Sequence, residues 1–310
     1  MVRRWICLIL ICLLLAGCTG QKTVRKELFL MDTVMDLQIW GKDAQTAADR
    51  IDELLKQLDS RWSAANPESA LSKANAGTPV WTAEEQNLLA RVEELNQRTG
   101  GAFHPRLYAL IDAWGFYADD QHVPTQQQID AALLDERMDL GGAIKGYAGQ
   151  LAVALLEELN VDRAILNLGG NIQTYGSKPD GSAWQIGIQN PDGGGNIGVV
   201  SVEGTMSVVT SGDYQRYFEQ DGKRYHHIFD SRTGRPAESG LRSVTVLCRD
   251  GLTADALSTA LFVMGLEEGA AFWRQSRDFE AVFLLESGEI WATEGVVLSG
   301  CDYEVIGREE

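Results

Sequence analysis

Met138-Asp139-Leu140-Gly141-Gly142-Ala143-Ile144-Lys145-Gly146-Tyr147-Ala148 reads as a turn that runs directly into a helix. Two adjacent glycines let the backbone come close to a ligand. The helix predicted from Gly146 to about Leu159 aims its unpaired N–H groups and positive dipole end back at that turn. Such a place suits a phosphate or another anion. Asp139 puts a carboxylate just before the glycines. Glycine pairs before helices also serve plain tight turns, so both readings stand on this stretch alone.

Outward from it, strands and helices alternate. Glu27 to Trp40 reads as one strand. Lys42 to Leu58 is helical, with Ala47, Ile51, Leu54, Leu55 and Leu58 on one face. Thr82 and Glu85 form a capping box. The helix they open carries Leu88, Leu89, Val92 and Leu95 and stops at Gly100-Gly101. Gln126 to Leu134 is a short helix. Arg163–Leu168, Trp184–Gln189, Val199–Thr210 and Ser243–Cys248 are strands. Thr253–Met264 and Leu266–Gln275 are helices, and Glu280–Glu286 pairs with Glu289–Thr293 around Ser287-Gly288. Regular βαβ spacing is absent, so the class is α+β. No linker or low-complexity segment divides the chain, which is long enough for one large domain or two intimately packed lobes.

Residues 1–17 read as processing signal. Arg3 and Arg4 precede an apolar run, Trp5 to Leu15, too short to span a bilayer comfortably. Leu15-Ala16-Gly17-Cys18 resembles a lipobox, in which Cys18 becomes the lipidated first residue; an ordinary secretory signal is the other reading. Lipid on Cys18 would anchor the protein to a membrane on its extracytoplasmic side without a spanning segment. Residues 18–30 then form the lipidated end and tether, and residues 31–306 the folded domain. The formal charge of −17 falls to −19 once the two arginines of the signal are removed. A chain this acidic lacks the basic clusters that nucleic acid requires. Of five cysteines, Cys248 and Cys301 remain after Cys7, Cys12 and Cys18 are assigned to the signal and anchor. The sequence leaves a disulfide between them open, and no zinc-type Cys/His spacing occurs.

Four places collect chemistry. The first is Asp139 to Lys145. The second is Asn167-Leu168-Gly169-Gly170-Asn171, which also reads as a strand-end turn. The third joins Thr210-Ser211-Gly212-Asp213-Tyr214 to Tyr225-His226-His227-Ile228-Phe229-Asp230. Adjacent residues on a strand point to opposite faces, so at most one of the two histidines faces a given site. The fourth is Asp255, Ser258 and Thr259, at i, i+3 and i+4 of one helix, with all three oxygens on one side. Hard oxygens in this arrangement suit Mg²⁺; alternatively Asp255 caps its helix and the hydroxyls bond back to the preceding turn.

Taken in order, the blocks resemble the ApbE family of bacterial FAD:protein FMN transferases. The match runs through Met31-Asp32-Thr33, Ser69 to Asn75, Phe103 to Phe116, Asp139 to Ala148 and Asn167 to Asn171. It continues through Thr210 to Tyr217, Tyr225 to Pro236 and Ala254 to Gly265. The resemblance implies a single ApbE-like domain of two packed α/β lobes. It implies Mg²⁺-dependent cleavage of FAD, transfer of the FMN half to a threonine hydroxyl of an acceptor flavoprotein, and release of AMP. By motif position, Met31, Ala102, Phe103, His104, Asp139, Lys145 and Phe229 should contact FAD, Phe229 through its backbone. The metal would fall to Asp255, Thr259, the Gly142 carbonyl and Ser258, where some members carry a carboxylate. His227 matches the histidine that deprotonates the acceptor, which suits an imidazole with a pKa near working pH; nearby Asp230 is a candidate to orient it. The acceptor class is the FMN-binding domain of membrane redox complexes or other extracytoplasmic flavoproteins.

Three positions depart from the family pattern. His104 stands where many members have Asp, Ala65 replaces an aromatic whose stacking Trp62 could supply, and Asp32 replaces a glycine. Two other functions compete: an Mg²⁺-dependent FAD pyrophosphatase giving FMN and AMP, and a non-enzymatic FAD-binding lipoprotein.

Overall fold

The computed structural model describes residues 23–118 and 120–308. The signal and Cys18 lie outside the described residues. The described strands are β1 (Thr23–Leu30), β2 (Thr33–Gly41), β3 (Val161–Leu168), β4 (Asn171–Tyr175), β5 (Trp184–Gln189), β6 (Asn196–Val202), β7 (Met206–Gly212) and β8 (Tyr217–Gln220). They continue with β9 (Lys223–His226), β10 (Phe229–Asp230), β11 (Arg235–Pro236), β12 (Leu241–Cys248), β13 (Phe279–Leu285), β14 (Ile290–Thr293), β15 (Val297–Ser299) and β16 (Glu304–Ile306). The helices are α1 (Ala44–Trp62), α2 (Ala70–Asn75), α3 (Ala83–Arg98), α4 (Tyr108–Ala113), α5 (Gln126–Ala132), α6 (Ile144–Glu158) and α7 (Gly251–Gln275).

A nine-stranded sheet in the order β1-β2-β3-β4-β7-β12-β13-β14-β16 runs through the whole molecule. Helices α1 and α6 cover its β1–β4 half over a core that includes Met35, Leu37, Ile39, Ile51 and Leu166. Helix α7 covers the β7–β13 half over Val244, Val246, Phe262, Trp273 and Phe283. On the other face a three-stranded sheet, β15-β6-β5, packs through Trp184, Ile186, Ile188 and Val200. The mixed α/β fold is thus two halves sharing one sheet.

The local signals hold where they rest on side-chain chemistry. Thr82 Oγ1 accepts from the Glu85 N–H at 3.2 Å, and the Glu85 carboxylate accepts from the Thr82 N–H at 2.7 Å. Helix α3 gives way to Gly100 and Gly101, with φ of 59° and 85°. Gly265, at φ 80°, breaks α7 into the two expected helices. Cys248 and Cys301 are both free thiols.

Residues 23–30, expected in the tether, instead form β1 of the large sheet, and two strand expectations are corrected. Glu27–Trp40 is not one strand but the β1–β2 hairpin, folded at Met31 and Asp32, which take positive φ of 51° and 57°. Asp tolerates that conformation but Met does not favour it, and with no glycine or asparagine the pair gives only a weak turn signal. Val199–Thr210 is likewise two strands, β6 and β7, which belong to different sheets. Gly204, at φ 64°, turns the chain between them.

Helices α6 and α7 cross at glycines. A Cβ on Gly146 would lie 2.0 Å from the Gly251 carbonyl oxygen, and one on Gly251 would lie 2.3 Å from that of Gly146. Neither glycine has a positive φ, so close approach alone requires them. Rigid backbone on both sides leaves no room to yield. Gly146→Ala should therefore cost at least about 2 kcal/mol, read as a lower urea midpoint at unchanged m-value. Gly193→Ala, in open space at φ 83°, should cost only about 1–2 kcal/mol of backbone strain.

Candidate functional site

The glycine crossing brings Asp255 to the first turn of α6. The Gly146 N–H donates to Asp255 Oδ2 at 2.8 Å. Helix α6 has no side-chain cap of its own at Ala143, so a carboxylate from another helix supplies one. Asp255 does not cap α7; Asp250 does, accepting from the Thr253 N–H at 2.8 Å.

Around this point the four sequence blocks converge on a cavity of about 640 Å³, within the range of small-molecule sites. Asp139, Gly142 and Lys145 form one wall, Gly169 to Asn171 another. Thr210, Ser211 and Tyr214 to Arg216 face them, with His227 to Phe229 alongside. Ala102, Phe103 and His104 close the space, and the Met31–Thr33 turn stands at its mouth.

The Met138–Gly142 turn is held from several sides. Asn75 clamps the Met138 backbone twice, donating to its carbonyl and accepting from its N–H, each at 2.8 Å. Asp139 Oδ1 accepts from the Gly141 N–H at 2.7 Å, and Tyr117 donates to Asp139 Oδ2 at 2.5 Å. Burial and the Asp139 carboxylate push the Tyr117 hydroxyl pKa far up, so it stays a donor. Sequence reasoning assigned no role to Tyr117, and to Asn75 only a place in a motif. The Gly169-Gly170 pair is a positive-φ hairpin turn, and a Cβ on Gly169 would meet Thr33 Oγ1 at 2.3 Å.

Asp255 is almost fully buried, and burial raises its pKa against the pull of Lys145 and the α6 N–H groups. A buried polar chain runs to it. Ser207 donates to Gln173 Oε1 at 2.6 Å, and Gln173 Nε2 donates to Asn171 Oδ1 at 3.2 Å. This leaves the Asn171 amide nitrogen turned to the Asp255 side. Thr259 lines the cavity, and its Oγ1 would lie 3.3 Å from a Cβ on Gly142. Ser258 is fully buried behind them, its hydroxyl donating to the Asp255 carbonyl at 2.9 Å and paired with Ser211 Oγ at 2.8 Å. Among the described residues no three His, Cys, Asp or Glu side chains gather as a metal site. One buried carboxylate beside a hydroxyl and a close backbone suits a hard cation that keeps its waters, as Mg²⁺ does.

The histidines part because His226 ends β9 and His227 lies in the bend that follows it. His226 is buried; its Nε2 donates to the Ala237 carbonyl at 3.1 Å and its Nδ1 accepts from the Ile228 N–H at 3.3 Å. His227 faces the cavity. Its Nδ1 lies 3.1 Å from the Arg216 carbonyl, which only accepts, so Nδ1 carries the proton and Nε2 is left as an acceptor. Asp230 does not orient this ring; it pairs with Arg232 at 2.9 Å. The expectation of a pKa near neutrality is also corrected. The ring keeps some accessible surface, yet the cavity walls enclose it, and burial with Arg216 and Lys145 nearby pushes its pKa down to about 3.

The departures also find places. His104 lines the cavity, its Nδ1 accepting from the Arg106 N–H at 3.2 Å, and burial lowers its pKa. Trp62 stacks on Trp81 at 5.3 Å, with the cavity beside it at Ala65. The Phe229 ring is spent against Trp114 and Phe116, at 5.6 and 5.9 Å. Asp32 stands exposed at the mouth near Asp59, whose pKa is raised by burial and by Asp32.

The family model described as the ApbE family matches residues 31–283. A relative named FAD:protein FMN transferase from Treponema pallidum is 32% identical, covering 93% of this chain and 93% of its own. One of the same name from Klebsiella pneumoniae is 33% identical over 84% of this chain and 89% of its own. The crystal structure of the ApbE protein from Thermotoga maritima superposes with a TM-score of 0.81 at 30% identity, covering 88% of this chain and 97% of that one.

His226 links stability to pH. Its pKa is pushed down to about 4, mainly by burial. A lowered pKa means the unfolded chain binds the proton first, so stability present above about pH 6.5 is lost as pH falls towards 4. The urea midpoint should fall across that window, and His226→Gln should flatten the fall.

Proposed function

Since this chain belongs to the ApbE family and is an enzyme, a transferase, we propose that it transfers FMN from FAD to a threonine hydroxyl of an acceptor flavoprotein. In this reading the threonine oxygen forms a bond to the FMN phosphorus as the diphosphate bridge breaks. AMP leaves with the bridging oxygen, and the hydroxyl proton passes to His227 Nε2. Bound Mg²⁺ would supply charge neutralisation at the diphosphate. Asp255, Thr259 and the Gly142 carbonyl would hold it, with Ser258 fixing the Asp255 backbone from behind. Lys145 and the α6 N-terminus favour the same anionic group.

The observation that carries the reading is one cavity lined both by the buried Asp255 carboxylate and by a neutral His227. A carboxylate kept from water is costly unless paired, and a cation in the cavity meets that need. A base with a pKa near 3 is weak by itself; an anionic diphosphate beside it would raise that pKa towards the working range. Membership of a transferase family removes simple flavin storage as the function. We further propose that Cys18 carries lipid and anchors the enzyme on the extracytoplasmic side of a membrane. Among the described residues no helix is long and apolar enough to cross one.

Incubation with FAD, Mg²⁺ and an FMN-binding domain tests the reaction: covalent flavin on the acceptor threonine supports it, and free FMN regardless of acceptor marks a pyrophosphatase. Asp255→Asn keeps an oxygen for the Gly146 N–H but removes the charge. Its Tm without Mg²⁺ should match or exceed the wild type, while the rise in Tm on adding Mg²⁺ disappears and turnover falls at least about 100-fold. His227→Ala should slow transfer by about 10²–10⁴ with FAD affinity largely kept; a large loss of affinity would recast it as a binding residue.

A further inference from the structure

The three-stranded sheet covers only part of the large sheet, and its margin is open. Strand β5 is its last strand, with no neighbour beyond it among the described residues. At one end β5 rests on the large sheet through Trp184 against Trp40 of β2, ring centres 6.0 Å apart. At the other end Gln189 reaches the cavity, where Asp32 and Thr33 of the β1–β2 hairpin also stand. Strand β5 therefore runs beside β2 and ends at the cavity mouth. Beyond that margin the described residues leave the β1–β2 face open. Phe29 and Val34, cross-strand partners in the hairpin, are 71% and 56% exposed.

An unpaired strand edge offers backbone donors and acceptors to a further strand. A strand added to β5 would extend the upper layer across the β1–β2 face, at the ordinary sheet-to-sheet distance of about 10 Å. Its inward side chains would bury Phe29 and Val34. The outer edge of β1 is a poorer template, because Arg25, Lys26 and Glu27 blunt it and Lys26 is tied to Asp49 and Asp52.

We propose that the acceptor polypeptide docks here as an extended strand along β5, packing on Phe29 and Val34 and delivering its hydroxyl to the cavity beyond Gln189. The inference rests on the transferase reading, which requires a protein chain to reach that cavity. Continuity fixes the occupant: both walls of the strip, β5 and the hairpin, end in residues of the cavity. Charge narrows it further. Exposed Glu27 and Asp32 flank the apolar pair on an acidic protein, so the docking segment is apolar and neutral or basic rather than acidic.

The test uses a recombinant FMN-binding domain with its target threonine, full-length enzyme, FAD and Mg²⁺. Phe29→Glu/Val34→Glu should raise the KM for this domain about tenfold, with kcat at saturation, FAD affinity and Tm unchanged. An unchanged KM overturns the docking site. A photo-crosslinking residue at position 34 supplies a readout independent of chemistry. A crosslink to the acceptor domain supports the proposal even if no flavin is transferred, in which case only the transferase reading fails. A crosslink solely to a second copy of the enzyme, or none at saturating acceptor, overturns it.

Discussion

Contact between two glycines on crossing helices sets the geometry of everything at the cavity. Gly146 and Gly251 let α6 and α7 approach until each backbone carbonyl fills the space a Cβ would need. That approach delivers Asp255 to the Gly146 N–H and completes a helix start that has no cap of its own. It also sets the Gly142 backbone against Thr259. A separation larger by one methyl group would pull the carboxylate from the α6 N-terminus and open the corner where a cation fits.

The electrostatics follow from burial more than from net charge. The protein is strongly acidic, yet the cavity holds Lys145, Arg216 and the positive end of α6 close to its carboxylates. Burial raises Asp255 and lowers His227, disfavouring the charged form of each. Both groups respond to an occupant: the carboxylate to a cation, the imidazole to an anion. The Ser207–Gln173–Asn171 chain gives the carboxylate a fixed, water-excluded neighbour, the kind of support that orients a metal ligand. Tyr117 and Asn75 do the same for the glycine turn.

Much of this was legible in the chain. The capping box at Thr82, the break at Gly265 and the terminal hairpin at Ser287-Gly288 are local matters, decided by a few neighbouring residues. Residues of the separate motif blocks line one cavity, because short stretches of unusual composition carry chemistry wherever they end up. Other features left no local mark. Met31-Asp32 turns a hairpin without glycine or asparagine, and Asp230 stands near His227 in sequence but turns away to Arg232. The carbonyl that orients His227 belongs to Arg216, across a hairpin, and any residue supplies a carbonyl.

By itself, then, the sequence determined the mixed α/β class, the helix and strand signals, the family and the set of side chains able to do chemistry. Those depend on periodicity, on turn residues and on residue types at fixed spacing. Tertiary structure alone decided which oxygens meet, which histidine nitrogen is free, that Asp255 caps a helix other than its own, and which strand edge lies open beside the cavity. Those depend on packing distance and burial between segments that lie as far as 109 residues apart, and no local pattern encodes them.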